Sequence, residues 1–103
     1  MRSITGRVAA ITWSYYNAAA VEGYTVTRTD KTWTATGAIV PGAVDAFKLA
    51  QRPLFFVAPY KGGAWRWEIE SLTLFEPGRF SARLGPMTTE GGHGIITRTT
   101  AGN

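Results

Sequence analysis

The chain contains no cysteine and only one histidine, and these shortages exclude much of protein chemistry. Without thiols there is no disulfide, no cysteine nucleophile and no thiolate zinc site, so stability must come from packing and backbone hydrogen bonds. His93 lies in a glycine-rich stretch, and the 7 carboxylates are scattered without a recognisable pairing. Since catalysis needs groups that exchange protons or attack, we expect no enzyme, no catalytic residue, no cofactor and no metal.

Charged residues are also scarce, at 17% of the chain, and long apolar runs are missing. The 11 Lys and Arg exceed the 7 acidic residues, but they never form a run, so the positive balance favours an acidic partner such as nucleic acid only weakly. The apolar residues that follow the basic start are interrupted by Thr12, Ser14 and Asn17. We therefore expect no signal peptide, no membrane span and no membrane partner.

What the chain does have is apolar and aromatic side chains, at 45% and 13% of its 103 residues. This length accommodates one domain, and the composition is that of a protein that folds unaided. The abundance of aromatic residues, threonine and glycine favours short strands joined by turns. We predict a β-rich domain over residues 1–86 and a Gly/Thr-rich C-terminal segment over residues 87–103, whose Ile95-Ile96 pair could add an edge strand.

Period-two alternation indicates the first strands. Residues 4–13 read as one strand with a bulge, because the apolar positions change parity between Ala10 and Ile11. Residues 24–27 and 32–36 alternate around Asp30-Lys31, which predicts a hairpin. Residues 54–58 are apolar at every position, so we expect this strand to be covered on both faces, one of them by a helix.

The second half of the sequence predicts a bulge and a turn. Residues 65–70 alternate with the tryptophans and Ile69 on one face, whereas Leu72 and Leu74 have the opposite parity. A bulge near Glu70-Ser71 would restore one apolar face. Residues 76–78, Glu-Pro-Gly, are a strong turn signal before a last strand that carries Phe80, Ala82 and Leu84.

One short helix is predicted at about residues 42–51, where Val44, Phe47 and Ala50 share a helical spacing and Pro53 bounds the segment. The resulting order is βββαββ plus an extra hairpin strand. It fits a small, partly open barrel of the oligonucleotide-binding (OB-like) type. A small antiparallel sheet with the helix packed across it, in an α+β arrangement, uses the same elements. The fold class is mainly β in either case.

Aromatic and basic residues lie near the predicted loops and are the candidate partner-binding residues. Such side chains stack on bases and contact phosphates, and the same types dominate the hot spots of protein interfaces. Tryptophans in so small a domain are usually core, which is our expectation for Trp33 and Trp67. The candidates are Tyr15, Tyr16, Arg28, Lys31, Lys61, Trp65, Arg66, Arg79 and Arg83.

Three segments carry a resemblance: Arg-Pro-Leu-Phe-Phe-Val-Ala-Pro at residues 52–59, Gly-Ala-Trp-Arg-Trp at 63–67 and Ala-Arg-Leu-Gly-Pro at 82–86. Together they resemble a pattern found in small uncharacterised proteins of bacteriophages and prophages. The matching residues belong to core and turns, so the resemblance implies a shared fold more than a shared chemistry. It also implies an origin in a virus or another mobile element, the cytoplasm of a bacterial host as location, and a role as an accessory binder.

The sequence therefore predicts a small, non-enzymatic binding protein whose partner is a host or viral protein complex. An inhibitor of a bacterial defence complex, of the anti-CRISPR kind, is one example. Two alternatives stay open. The chain could be a single-stranded nucleic-acid-binding module that uses Arg28, Lys31, Lys61 and the nearby rings, or a small structural protein of a virion.

Overall fold

The computed structural model describes residues 2–60, 62–90 and 96–100. Within these ranges the chain forms seven strands and one short helix. The elements are β1 (Arg2–Trp13), β2 (Tyr16–Thr29), β3 (Thr32–Val44), α1 (Ala46–Leu49), β4 (Leu54–Tyr60), β5 (Gly63–Phe75), β6 (Arg79–Glu90) and β7 (Ile96–Thr100). α1 is too short to cross a membrane, and the described ranges contain no other helix.

The first six strands close an antiparallel barrel in the order β3-β2-β1-β4-β5-β6, and β3 pairs with β6. Two three-stranded meanders, β1 to β3 and β4 to β6, are joined by α1 and meet along β1–β4 and β3–β6. β7 pairs with the second half of β6, from Met87 onward. The mainly β class with one short helix is confirmed, and the architecture is a closed barrel rather than an open sheet.

Aromatic rings fill the interior of the barrel. Phe56 of β4 is fully buried, and its ring centroid lies 5.3 Å from Tyr24, 5.9 Å from Trp67 and 5.9 Å from Phe80. Trp33 is 3% exposed and contacts Trp67 at 5.7 Å. The expectation that Trp33 and Trp67 belong to the core is confirmed.

The prediction that a helix covers the outer face of β4 is wrong. α1 packs on β1 and β2 and has no buried residue. The outer residues of β4, Phe55 and Val57, are half-buried, and the guanidinium of Arg66 lies 3.7 Å from the centre of the Phe55 ring. A strand that is apolar at every position is therefore covered on its outer face in part by a cationic side chain, which sequence periodicity does not reveal.

The helix lies within the predicted range but is shorter. Residues 42–44 continue β3, with Gly42 at a φ of +80°, and Asp45 caps α1 by accepting the backbone N–H of Lys48 at 3.1 Å. That hydrogen bond, together with the Lys48 side chain, lowers the pKa of Asp45. β-branched Val44 favours the extended strand, and the capping carboxylate determines where the helix begins.

Both predicted bulges are confirmed. The β5–β6 register shifts between Trp67 and Ile69 and again between Ile69 and Ser71. The β1–β2 register shifts between Ile11 and Thr12. The bulges in β5 keep Trp67 and Ile69 buried and leave Leu72 half-buried, as the parity argument required, whereas Leu74, which the same argument placed on that face, is 53% exposed.

The two hairpin turns also match the sequence. Asp30 takes the left-handed conformation, with a φ of 61°, in the β2–β3 turn, although no glycine is present there. Aspartate tolerates this region because its short polar side chain hydrogen-bonds locally. Gly78 donates its N–H to Phe75 at 2.9 Å in the β5–β6 turn. After that turn β6 runs to Glu90, so residues 87–90 extend a barrel strand.

Ionisation of the buried Tyr24 should lower the stability of the barrel at alkaline pH. Its side chain is 6% exposed, and burial raises the pKa of its phenol above its ordinary value of 10.0. The neutral form is favoured in the folded state, so this contribution is complete below the unfolded pKa and is lost as pH rises through the folded pKa.

We expect the free energy of unfolding of the wild type to fall above about pH 10, by at most about 1.4 kcal/mol per pH unit from this residue. Residue 24 cannot ionise in the Tyr24→Phe variant, so the free energy of unfolding of this variant should fall less. Urea unfolding of both proteins from pH 8 to 11 measures the difference. If the free energies of unfolding of the two proteins changed in parallel from pH 8 to 11, burial of the Tyr24 phenol would not contribute to the pH dependence of stability.

Candidate functional site

Exposed aromatic rings gather where β1 turns into β2. Tyr15 is 67% exposed in the turn, Tyr16 is 61% exposed at the start of β2, and Phe47 of α1 is 69% exposed. Trp13 is half-buried and contacts two of these rings, with its ring centroid 6.1 Å from that of Tyr16 and 6.2 Å from that of Phe47. We call these four residues, Trp13, Tyr15, Tyr16 and Phe47, the aromatic surface.

Arg66 holds the β1–β2 turn against the barrel. Its Nη2 donates to the carbonyl oxygen of Ser14 at 2.9 Å, and its guanidinium lies 4.7 Å from the Tyr15 ring centre and 3.7 Å from that of Phe55. Arg66 is only 7% exposed, so it offers little surface of its own to a partner. Of the residues predicted from the sequence, Arg66 and Tyr15 are therefore brought together, with the arginine beneath the tyrosine.

A second cation lies over the other exposed tyrosine. Lys48 Nζ is 5.8 Å from the centre of the Tyr16 ring and 3.2 Å from Asp45 Oδ2. Cation–π attraction at exposed sites contributes about 0.5–1 kcal/mol. The helix cap and the aromatic surface are therefore coupled through one lysine that the sequence had not singled out.

Trp65 and Arg79 lie apart from the aromatic surface. Trp65 is half-buried and stacks on Tyr60, with centroids 4.5 Å apart and planes at 23°. Arg79 is exposed at the start of β6, opposite Phe75. The candidate Lys61 and the histidine, His93, lie outside the described residues.

Three of the predicted cations line one pocket. Arg28, Lys31 and Arg83 surround a cavity of about 490 Å³ between the β2–β3 turn and β6. Glu70 also lines it, and its Oε1 lies 3.3 Å from Arg83 Nε. The closure of the barrel creates this cluster, because β3 and β6 pair with Trp33 opposite Leu84. We call Arg28, Lys31, Arg83 and Glu70 the basic pocket.

A groove of about 690 Å³ runs over the outer face of β1 and β2. Small apolar side chains line it, among them Val8, 68% exposed, and Val44, 45% exposed. Asn17 and Asp45, which follow Tyr16 and precede α1, line the same groove, so it adjoins the aromatic surface. We call it the apolar groove. The sequence did not indicate this groove, although Val8 and Ala10 are the apolar positions of β1 that precede the predicted change of parity.

Phe47 is the other functional candidate that the sequence analysis missed. Its helical spacing with Val44 and Ala50 indicated an inward face, whereas α1 is a single turn with no buried residue. A helix of four residues cannot present a continuous apolar stripe. The sequence signal that could have indicated the exposure of Phe47 is Asp45. As the N-cap it begins the helix only at Ala46, so α1 is a single turn and Phe47 is not covered.

In the described ranges, no group of three or more His, Asp or Glu side chains could hold a metal ion. The perturbed pKa values belong to the buried Tyr24 and to the cap Asp45, and both have structural causes. The described residues offer the aromatic surface, the apolar groove and the basic pocket as candidate binding features.

Comparison with known proteins returns no match, whether to family models, to curated proteins or to solved structures.

Proposed function

We propose that this chain is a non-enzymatic binding protein that docks on a partner protein through the aromatic surface and the adjoining apolar groove. One observation carries the proposal: Tyr15, Tyr16 and Phe47 are each more than 60% exposed, Tyr16 and Phe47 both contact Trp13, and Tyr15 precedes Tyr16 in the chain. Tyrosine and tryptophan are enriched among interface residues whose truncation costs most of the binding energy. Rings that are mostly exposed bury little apolar area in the isolated monomer, so most of their surface contributes nothing to its stability.

The arrangement of the rings favours binding over accidental exposure. Arg66 fixes the turn beneath Tyr15 by its bond to Ser14, and Lys48 lies over Tyr16. Rings held before binding lose less conformational entropy when a partner arrives.

The apolar groove supplies the area that a stable interface needs. Protein interfaces bury about 800 Å² on each partner, more than three exposed rings provide. Val8 and Val44 extend the apolar surface beyond the rings. Exposed apolar patches of this kind mark interaction sites in soluble proteins.

The resemblance to phage and prophage proteins suggests the kind of partner. A small accessory protein of a phage acts in the cytoplasm of its bacterial host, and a complex of the host's defence system is the partner that we propose for it. Binding of such a complex at a fixed stoichiometry needs no catalytic group, in agreement with the sparse titratable residues of the chain.

The test uses a double variant and a matched control. Tyr16→Ser with Phe47→Ser removes two exposed rings from the aromatic surface. Leu74→Ser with Phe75→Ser removes two exposed apolar side chains, 53% and 52% exposed, from the end of β5. Tagged wild type and both variants are used to capture proteins from nuclease-treated bacterial lysate, and the partner found by mass spectrometry is then purified and titrated calorimetrically.

We expect the wild type and the β5 variant to bind the purified partner alike. The Tyr16/Phe47 variant should bind about 100-fold more weakly, since each hot-spot ring contributes about 1.4 kcal/mol or more. Equal affinities for all three proteins would contradict the proposed surface. Light scattering that shows self-association alone would instead favour the structural virion protein.

The nucleic-acid alternative makes a different prediction. A single-strand binder should shift a labelled oligonucleotide, with an affinity that falls steeply as salt rises. Nuclease treatment of the lysate would then remove the captured material. No shift at low salt would exclude this alternative.

A further inference from the structure

We propose that the basic pocket binds a phosphate group that carries two negative charges, as in a phosphomonoester. This site lies apart from the aromatic surface, and it is a different binding activity from docking on a protein. It is carried by three cationic side chains, Arg28, Lys31 and Arg83, that line one cavity of about 490 Å³.

Arg28 is oriented by the turn that precedes the pocket. Its Nε donates to the carbonyl oxygen of Asp30 at 3.1 Å, which uses the nitrogen nearest the chain. The left-handed conformation of Asp30, with a φ of 61°, places that carbonyl within reach. No described carboxylate pairs with Arg28, so its two terminal nitrogens remain as donors for an anion.

Arg83 is oriented from the opposite wall. Its Nε lies 3.3 Å from Glu70 Oε1, across from β6 in the neighbouring strand β5. Both arginines are therefore held through Nε, and both keep their terminal nitrogens for a ligand. A planar guanidinium that is fixed in this way is suited to bidentate contact with a phosphate.

The charge of the pocket selects the ligand. Arg28, Lys31 and Arg83 supply three positive charges, Glu70 supplies one negative charge, and the sum is two positive charges. A phosphomonoester at neutral pH carries about 1.5–2 negative charges. A carboxylate or a single phosphodiester would leave the pocket with uncompensated positive charge.

Part of the wall of the basic pocket is apolar. Trp33 and Leu84, both 3% exposed, and Pro86 line the cavity beside the cations. The side chains of Arg83 and Glu70 are 63% and 51% exposed, so water still screens their charges and the apolar wall strengthens the attraction for an anion only in part. Thr32 and Gly85 also line the cavity and place backbone groups at its edge.

The test titrates the intact protein with inorganic phosphate at constant ionic strength, followed by backbone amide chemical shifts. The variants are Arg28→Gln, Lys31→Gln and Arg83→Gln, and the matched control is Arg79→Gln, which removes the same charge from the exposed start of β6. Circular dichroism verifies that each variant is folded. Two further ligands, a short oligonucleotide with and without a 5′-phosphate, distinguish the end of a nucleic acid from a small phosphate as the source.

We expect phosphate to shift the amides of Thr32 and Gly85 with a Kd of the order of 1 mM. Each pocket variant should raise this Kd about fivefold or more, because a charge-assisted hydrogen bond is lost, whereas Arg79→Gln should change it less than twofold. An affinity for the 5′-phosphorylated oligonucleotide about tenfold above that for the unphosphorylated one would identify a nucleic-acid end. Equal affinities of the two oligonucleotides, with phosphate still bound, would identify a small phosphate.

Absence of shifts at about 20 mM phosphate would overturn the proposal, since a site weaker than this has no selectivity over salt. Shifts that persist unchanged in all three pocket variants would also overturn it. If Arg79→Gln weakened phosphate binding as much as Arg28→Gln, the binding would depend on the overall positive charge of the protein and not on the basic pocket. That result would overturn the proposal as well. None of these results depends on the aromatic surface, so failure here leaves the proposed protein contact standing.

Discussion

Replacing Phe56 by alanine is expected to lower the free energy of unfolding by about 3–5 kcal/mol. Phe56 is fully buried, and its ring contacts those of Tyr24, Trp67 and Phe80 within 6 Å. Removal of the ring leaves a cavity in the middle of the barrel, and the surrounding strands cannot collapse into it because they are hydrogen-bonded to one another around the barrel. Since small domains have only about 5–15 kcal/mol of stability, this is a large fraction.

Urea unfolding followed by tryptophan fluorescence measures the effect, and Phe75→Ala is the matched control. Phe75 is 52% exposed at the end of β5, so its removal should cost less than about 1 kcal/mol. We expect the midpoint of Phe56→Ala to fall while the slope of the transition stays unchanged. Similar losses in the two variants would contradict the position of Phe56 at the centre of the core.

The inside of the barrel was readable from the sequence because it depends on local alternation. Trp33, Trp67 and Phe80 lie at positions whose parity indicated an inner face, Phe56 lies in the strand that was predicted to be covered on both faces, and all four are buried. The bulges followed from the same argument, because two opposed parities in one strand require a register shift. Packing in a β-barrel repeats every second residue, so neighbouring positions carry the information.

The outer features depend on contacts between residues far apart in the chain, and alternation says nothing about these. Arg66 reaches Ser14, 52 positions away, and the alternation of β5 predicted only that it faces outward. Arg28 and Arg83 meet because β3 pairs with β6. The sequence indicated the strands but not which of them close the barrel, so the basic residues were predicted as separate candidates and their common pocket was not.

Phe47 and Val8 illustrate a second reason. Each is apolar and was assigned by its spacing to a covered position or to a bulge, yet each is more than 60% exposed. A binding surface and a core use the same residue types, since both remove apolar area from water. Composition alone therefore cannot distinguish an aromatic residue of the core from one in a binding surface.

Gly6 and Tyr24 form the second site at which a single change should have a large effect. They lie opposite each other in β1 and β2. A Cβ at Gly6 would overlap sterically with the Tyr24 phenol. It would lie 2.7 Å from Cε1 and closer still to Cζ and the hydroxyl oxygen. The Tyr24 ring is held on its other side by an edge contact with Phe56 at 5.3 Å between centroids, so it cannot withdraw into the barrel.

We expect Gly6→Ala to destabilise the protein by about 1–3 kcal/mol, because the Tyr24 ring must leave its rotamer or β1 must move away from β2. The backbone of Gly6 does not have the left-handed φ that favours glycine, so alanine itself is tolerated there and the cost is steric. In the absence of a ring, glycine in a strand is less stable than alanine by about 0.5–1 kcal/mol. The sign of the effect should therefore reverse when the ring is removed.

A double-mutant cycle with Tyr24→Val tests this reversal by urea unfolding. Tyr24→Val alone loses the buried ring, and adding Gly6→Ala to it should cost nothing or restore part of the stability. The coupling free energy between the two positions should exceed about 1 kcal/mol, well beyond the error of additivity for independent sites. If Gly6→Ala costs the same with and without the tyrosine ring, the close packing of Tyr24 on Gly6 is not what requires glycine at this position of β1.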